Sequence, residues 1–175
     1  MTEKQKSILD AALKLFASQG FDAVSTNAIA KSAGVSEGLI FRHFESKAGL
    51  LAALMEAGTE KILKELSAIA TIENPAERVH AIMEIPFHIS PEDYPFWRLV
   101  YSLKWQNEMY DAELGKPLRD LLLNALTALK YQDPNTEADL ILSYLDGFAT
   151  TILLKSNSVN KDKLLAVLRQ KYTLN

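Results

Sequence analysis

The stretch Thr26–Leu50 contains two short helical patterns on either side of a tight turn. Apolar residues three to four positions apart predict a first helix over 26–33. Gly34 ends that helix, because glycine tolerates the positive φ that such a turn needs. Ser36 can cap a second helix, predicted over 37–44, whose apolar residues again share one face. Two short helices joined in this way form a helix-turn-helix.

In the second predicted helix, Ile40 and Phe44 face the first helix. The outer face is formed by Gly38, Phe41, Arg42 and His43. The second helix of such a pair is the one that enters a DNA major groove. Arg42 suits the O6 and N7 acceptors of guanine, and Phe41 suits a thymine methyl group. A solvated arginine is the alternative for Arg42, whereas the absence of a side chain at Gly38 would let the backbone approach a duplex closely.

Three polar residues stand in the first turns of these two helices. Thr26 and Ser36 can offer a hydroxyl and unbonded backbone N–H groups to a phosphate, although Ser36 could use its oxygen as a helix cap instead. Glu37 could accept a hydrogen bond from cytosine N4. We interpret Glu37 as an acid that serves the helix dipole, which is the commoner role of such a residue.

The chain resembles the TetR-type transcriptional regulators in the run Gly34-Val35-Ser36-x-Gly38-x-Ile40-Phe41-x-His43-Phe44-x-Ser46-Lys47-x-x-Leu50. The specific resemblance covers about residues 9–54. Ile40 replaces a usual leucine, and Phe41 replaces a usual tyrosine whose hydroxyl often touches a phosphate in this family. The resemblance implies phosphate contacts by His43 and Lys47. The expected DNA-binding residues are Thr26, Ser36, Gly38, Phe41, Arg42, His43 and Lys47.

Charge and composition are those of an ordinary soluble chain of 175 residues, with 48% hydrophobic and 23% charged residues. No cysteine is present, so neither a disulfide framework nor a thiolate metal site is expected. We expect a cytoplasmic protein with no membrane span. The net charge is −3, and the part up to Leu50 carries +1. DNA binding would therefore depend on a few placed contacts and on two copies acting together.

Helical periodicity and helix-start signals recur along the whole chain, so the predicted fold is all-α. A strut helix is expected from the cap Ser46 to about Ala70, roughly 36 Å long. The expected division is a DNA-binding domain over 1–46 and a helical ligand-binding and dimerisation domain over 47–175. Pro86 should kink or end its helix. The other helices are predicted near 4–18, 75–89, 92–110, 117–131, 136–156 and 161–173.

An aromatic stripe on the helix near 92–110 can be interpreted in two ways, as core or as the wall of a ligand pocket. Trp97, Tyr101 and Trp105 repeat at four-residue spacing. Such stripes are usually core. In TetR-like proteins this region usually lines an inducer pocket, and apolar walls with a few polar groups describe a small-molecule site. The candidate ligand-binding residues are Met83, Phe87, His88, Trp97, Tyr101 and Trp105.

The two C-terminal helices carry more apolar surface than one core needs. Intrachain packing is one explanation, and a partner helix is the other. In the resembled family two such helices from each subunit form a four-helix bundle. The candidate interface residues are Leu140, Tyr144, Phe148, Leu164, Leu168 and Tyr172.

No nucleophile elbow, phosphate-binding glycine loop or zinc-protease motif is visible, so we expect neither an enzyme nor a cofactor. His80 and His88 have no further ligand at suitable spacing, so no metal site is expected.

The sequence therefore predicts a homodimeric, ligand-responsive transcriptional regulator. We expect a repressor that binds a pseudo-palindromic operator in double-stranded DNA, with its recognition helices about 34–36 Å apart. A small apolar or aromatic ligand would release it. The alternative is a helical small-molecule- or partner-binding protein whose helix-turn-helix is only structural, which the low net charge and Phe41 favour.

Overall fold

The computed structural model describes residues 1–106, 115–154 and 159–172, with the backbone alone for Trp105 and Gln106. Over these residues the chain forms helices and no strand, which confirms the all-α prediction. A short 3-10 turn, Pro91–Asp93, precedes α6. The helices are α1 (Glu3–Gln19), α2 (Thr26–Ala33), α3 (Glu37–Phe44), α4 (Lys47–Ala70), α5 (Pro75–His88), α6 (Tyr94–Gln106), α7 (Lys116–Ala128), α8 (Pro134–Leu154) and α9 (Lys161–Lys171).

Most helix starts lie where the capping residues predict them. The side-chain oxygens of Ser46, Asn74 and Asn160 each accept a hydrogen bond of 2.8–2.9 Å from a backbone N–H two or three residues further on. The prediction of a helix start at 92 is wrong. Pro95 has no N–H and fits only the first turn of a helix, so α6 begins at Tyr94.

The chain divides into two compact units, and the division falls inside α4. The first unit contains Met1–Lys61 and α6, and the second contains Ile62–Pro91 with α7, α8 and α9. The domain boundary predicted from the sequence, between residues 46 and 47, is set by the end of the helix-turn-helix, whereas the observed division separates compact units. It stays a prediction about function.

The core of the first unit joins the helix-turn-helix to α1, α4 and α6. Phe16, Ile29, Ile40 and Leu50 are fully buried there, and α6 contributes Leu99 and Leu103, which are also fully buried. Fully burying one such side chain stabilises a fold by about 1.5–3 kcal/mol. The small DNA-binding part therefore gains stability from α6 as well as from the predicted strut.

Two glycines let the backbone of α4 make close contacts inside this unit. A Cβ at Gly49 would lie 1.9 Å from the carbonyl oxygen of Phe44, and a Cβ at Gly58 would lie 2.0 Å from Cζ of Phe96. No real Cβ comes that close to another atom. Glycine is thus required where α4 passes the backbone at the end of α3, whereas at Gly58 the Phe96 ring would have to shift to admit a Cβ.

In the second unit, α5 packs against α7 and α8 and buries Ile82 and Met83. Pro86 was expected to kink or end α5, and the helix does end two residues later, at His88. α9 buries Leu168 and also makes polar contacts with α5. Arg169 donates to both carboxylate oxygens of Glu84 at 2.6 and 2.8 Å, which ties α9 to α5.

Candidate functional site

The turn between α2 and α3 has the predicted geometry. Gly34 has φ 66° and ψ 35°, the left-handed conformation, and the N–H of Val35 donates to the carbonyl of Ala30 at 3.0 Å. Ile40 is fully buried, whereas Phe41 on the next position is 47% exposed. The turn therefore fixes α3 with its apolar side inward and its predicted outer face in solvent.

The outer face of α3 is open. A Cβ at Gly38 would meet no atom within 4 Å. Within the described ranges, no hydrogen bond or ion pair engages the Arg42 guanidinium. His43 is half-buried, with its ring 6.2 Å from the Phe44 ring in an edge-on arrangement. Gly38, Phe41 and Arg42 thus present an unobstructed surface on the outer side of α3.

The hydroxyls at the starts of α2 and α3 differ in what they bind. Ser25 caps α2, since its Oγ accepts from the N–H of Ala28 at 3.1 Å. Thr26 instead donates through its Oγ1 to Oε1 of Glu37 at 2.6 Å. Ser36 occupies the N-cap position of α3 but makes no side-chain capping bond, so its possible cap role is corrected. Its hydroxyl is not engaged in capping and can serve a phosphate.

Glu37 connects the first turns of both helices. Besides Thr26, the amide Nδ2 of Asn27 lies 3.5 Å from Oε2 of Glu37. A carboxylate there serves the positive ends of both helix dipoles. The partners are ten and eleven residues apart along the chain, so no periodicity could have revealed this contact.

Lys47 is engaged inside the protein. Its Nζ donates to the carbonyl oxygens of Phe21, Asp22 and Val24 at 3.0, 3.3 and 3.1 Å. An ammonium group has three donors, and these carbonyls account for all of them. The phosphate contact expected of Lys47 would therefore add to, or exchange with, a bond that holds the start of α4 to the α1–α2 loop.

An open groove of about 420 Å³ runs beside Phe41. The loop before α2 forms one wall, and the end of α3 with the start of α4 forms the other. Its lining residues are Asp22, Ala23, Val24, Ser25, Thr26, Phe41, Ser46 and Lys47. The groove brings together three of the predicted DNA-binding residues, Thr26, Phe41 and Lys47.

The candidate ligand residues fall in the two separate units. In the second unit Met83 and Phe87 are buried, and Phe87 packs against Phe148 with ring centres 5.3 Å apart, whereas His88 is exposed and contacts Glu84. In the first unit Trp97 and Tyr101 are half-buried and lie off the α6 face that enters the core. The Trp105 side chain lies outside the described part of the chain. The formation of a ligand pocket by these residues stays a prediction.

The candidate interface residues differ in exposure. Leu140 and Tyr144 are each 43% exposed, whereas Phe148, Leu164 and Tyr172 are half-buried. Burial raises the pKa of the Tyr172 hydroxyl to about 12, so this tyrosine stays neutral at ordinary pH. Leu168 is 6% exposed and has little surface left for a partner, and its place in an interface stays a prediction.

These helices and side chains define a helix-turn-helix DNA-binding protein. A family model described as bacterial regulatory proteins of the tetR family matches residues 8–54. The chain is 30% identical over 172 residues to the HTH-type transcriptional regulator BetI of Rhizobium meliloti, which covers 94% of this chain and 85% of BetI. The chain belongs to the tetR family, and it is a DNA-binding transcriptional regulator.

Solved structures show the same fold. A Saccharomonospora viridis protein in complex with choline has a TM-score of 0.78 at 18% identity, covering 100% of this chain and 98% of that one. AibR in complex with isovaleryl coenzyme A and operator DNA has a TM-score of 0.73 at 21% identity, covering 95% and 96%. Within the described ranges, no helix combines the length and apolar character needed to cross a membrane.

Proposed function

We propose that this regulator is a cytoplasmic repressor, which binds a pseudo-palindromic operator as a homodimer and leaves it when a small, mostly apolar ligand binds. The observation that carries the DNA-binding part is the arrangement of α3. Ile40 anchors it in the core, while Phe41, Arg42 and Gly38 face solvent together. A recognition helix presents its side chains to base edges in this way.

Dimerisation is supported by an exposed stripe along α8. Leu140, Tyr144, Gly147, Thr151 and Leu154 recur at intervals of three and four residues on one face. Leu140 and Tyr144 are each 43% exposed, and Leu154 is 73% exposed. A Cβ at Gly147 would meet no atom within 4 Å, so a partner helix could approach closely there.

Ligand binding is supported by the kinds of molecule found on structural relatives. One relative was solved with choline and another with isovaleryl coenzyme A. Both ligands combine an apolar part with a polar or charged group. Trp97 and Tyr101, half-buried and off the core face of α6, suit such a molecule as apolar walls with polar edges. We therefore propose that the ligand contacts this face of α6. Met83, Phe87 and His88 of α5 are separate candidates within the second unit.

The test of operator binding is selection from a randomised duplex library with the purified full chain. We expect the bound pool to converge on an inverted repeat, and the affinity to fall steeply with salt because lysines and arginines replace counterions at the backbone. The Arg42→Ala protein should lose preference at one base position per half-site, at a cost of about 1–3 kcal/mol. If the wild-type protein enriches no sequence, the proposal of operator binding is wrong and the helix-turn-helix serves only in packing.

Dimerisation is tested by sedimentation of the Tyr144→Glu protein. A charge in the α8 stripe should weaken self-association by roughly 30-fold or more, the effect expected of about 2 kcal/mol at an interface centre. Asn124→Glu, on the exposed face of α7, adds the same charge outside the stripe and should leave the dimer intact. If the Tyr144→Glu and Asn124→Glu proteins associate equally strongly, α8 is not part of the interface.

A further inference from the structure

The carboxylate of Glu37 is held in place by a residue of the neighbouring helix. Glu37 is the first residue of α3 and Thr26 is the first residue of α2. The Thr26 hydroxyl donates to Oε1 at 2.6 Å, a distance typical of a hydroxyl bound to an ionised carboxylate. This bond limits the rotation of a side chain that would otherwise sweep a wide volume in front of α3.

The second oxygen of the same carboxylate keeps most of its capacity to accept hydrogen bonds. Its contact with Asn27 Nδ2 is 3.5 Å long, at the outer limit for a hydrogen bond. Each carboxylate oxygen has two lone pairs and no proton to donate. Oε2 is therefore a fixed, acceptor-only group at the N-terminal end of the recognition helix, the end whose residues contact base edges.

An acceptor-only group discriminates among base edges in the major groove. Cytosine presents its N4 amino group as a donor, whereas guanine presents O6 and N7 and thymine presents O4, all of them acceptors. Adenine also presents an amino group, N6, but the N7 beside it is an acceptor, so adenine suits an amide better than a carboxylate. A carboxylate facing those acceptors would lose its hydration without gaining a bond, which penalises the wrong base pair.

We propose that Glu37 is a specificity-determining residue that reads a cytosine amino group at one base pair of each half-site, and that Thr26 is the positioning residue that orients it. This assignment rests on the proposed operator binding by α3. A carboxylate that served the helix dipoles alone would act equally on every DNA sequence. Base reading acts at one position, and this difference separates the two roles.

The experiment compares the duplexes selected by the wild-type, Glu37→Gln, Thr26→Val, Thr26→Ser and Glu45→Gln proteins, each as the purified full chain. A glutamine amide both donates and accepts, so Glu37→Gln should tolerate either base edge and lose roughly 10-fold in discrimination at one cytosine. Thr26→Val should lose roughly 3-fold or more at the same base pair, because the orienting bond is gone. Thr26→Ser keeps the hydroxyl and should retain the preference.

Glu45→Gln is the matched control for charge. Glu45 is an exposed carboxylate immediately after α3, and its removal changes the net charge by the same amount. It should change affinity for all duplexes alike and leave the selected motif intact. A Glu37→Gln motif identical to the wild-type one, or a Glu45→Gln protein with the same loss at the same base, would overturn the assignment.

Failure of folding would be visible in the helical circular dichroism signal of each protein. The Thr26→Val and Thr26→Ser pair still tests the assignment if Glu37→Gln does not fold, since the two differ in the hydroxyl that binds Oε1. Equal discrimination by that pair would overturn the positioning role of Thr26. If the wild-type protein selects a motif and the four variants select the same motif, base reading by Glu37 is wrong and operator binding by α3 still holds.

Discussion

The Nζ of Lys47 donates a hydrogen bond of 3.0 Å to the carbonyl oxygen of Phe21 and lies 4.4 Å from the centre of the Phe21 ring. An ammonium over an aromatic face is attracted by the negative charge of the ring face. The residue that begins α4 is thereby bonded to the loop that precedes α2. This contact fixes the wall of the groove beside α3.

Lys47→Ala should affect both stability and DNA binding. Loss of charged hydrogen bonds to three carbonyls should lower the free energy of unfolding by about 1.5–3 kcal/mol. Loss of a positive charge beside the groove should also flatten the salt dependence of DNA affinity by about one unit, equally for all sequences. Thermal unfolding and anisotropy titrations at several salt concentrations measure the two effects separately.

Lys14→Ala is the control for Lys47, because Lys14 is exposed in the middle of α1. The Lys14→Ala substitution should change neither the free energy of unfolding nor the salt dependence of DNA affinity. A Lys47→Ala protein that keeps its salt dependence but loses stability would show that Lys47 holds the fold and leaves the phosphates to other residues.

Phe41→Tyr should strengthen DNA binding. The side chain is 47% exposed beside the groove, so a hydroxyl at the ring edge has room to reach a phosphate. One added hydrogen bond corresponds to roughly 2- to 10-fold in affinity, without a change in base preference. Phe41→Leu, which adds no hydroxyl, should show no gain. Anisotropy with a labelled duplex measures both, and weaker binding by Phe41→Tyr would contradict a phosphate at this ring edge.

Glu84→Gln should loosen α9 in a pH-dependent manner. The hydrogen bonds from Arg169 hold the pKa of the Glu84 carboxyl below its ordinary value of 4.5, against the opposing effect of burial. A lowered pKa in the fold means stabilisation that is present above the ordinary value and is lost as the pH falls through the lowered one. The wild-type protein should therefore melt a few degrees above Glu84→Gln at neutral pH, and the gap should close in acid.

Glu3→Gln supplies the comparison for Glu84, since its ion pair with Lys6 is exposed on both sides. Such pairs contribute little to stability. The Glu3→Gln protein and the wild-type protein should therefore have the same melting temperature at neutral pH. A pH-independent gap between Glu84→Gln and wild type would assign the loss to packing and not to charge.

The ligand should report its own binding through intrinsic fluorescence. Both tryptophans of the chain, Trp97 and Trp105, belong to α6. Titration with a small apolar or aromatic compound that releases DNA should change the emission at the same midpoint at which that compound releases DNA. Because coupling between two sites is reciprocal, added operator should weaken ligand binding by the same factor.

The Trp97→Phe protein separates pocket from core for this helix. It should retain the fold but bind the effective compound several-fold more weakly, as expected from the loss of one indole contact. A compound that releases DNA, leaves the emission unchanged and keeps its affinity in this variant would place its site elsewhere.

Local chemistry made the helix-turn-helix predictable from the sequence. The turn at Gly34 depends on neighbours within a few residues, and helix spacing alone puts Ile40 on the side of α3 opposite its outer face. The outer face of α3 follows from the same periodicity. These features were predicted with the right residues, because turn geometry and helix spacing are short-range properties.

Contacts between distant residues were not predictable in this way. The partners of Lys47 lie 23–26 residues earlier, and Thr26 and Glu37 belong to different helices. Residue type assigned Thr26 to a phosphate, since a hydroxyl near a helix start fits one well, and the family resemblance assigned Lys47 to a phosphate. Their protein partners became visible once the helices were positioned relative to each other.

The contact between Gly49 and the Phe44 carbonyl extends the sequence requirement of the recognition helix past its own last residue. A side chain at position 49 would press its Cβ against the backbone on which α3 ends. The orientation of the helix that faces the bases therefore depends on a glycine five residues beyond it, in a different helix.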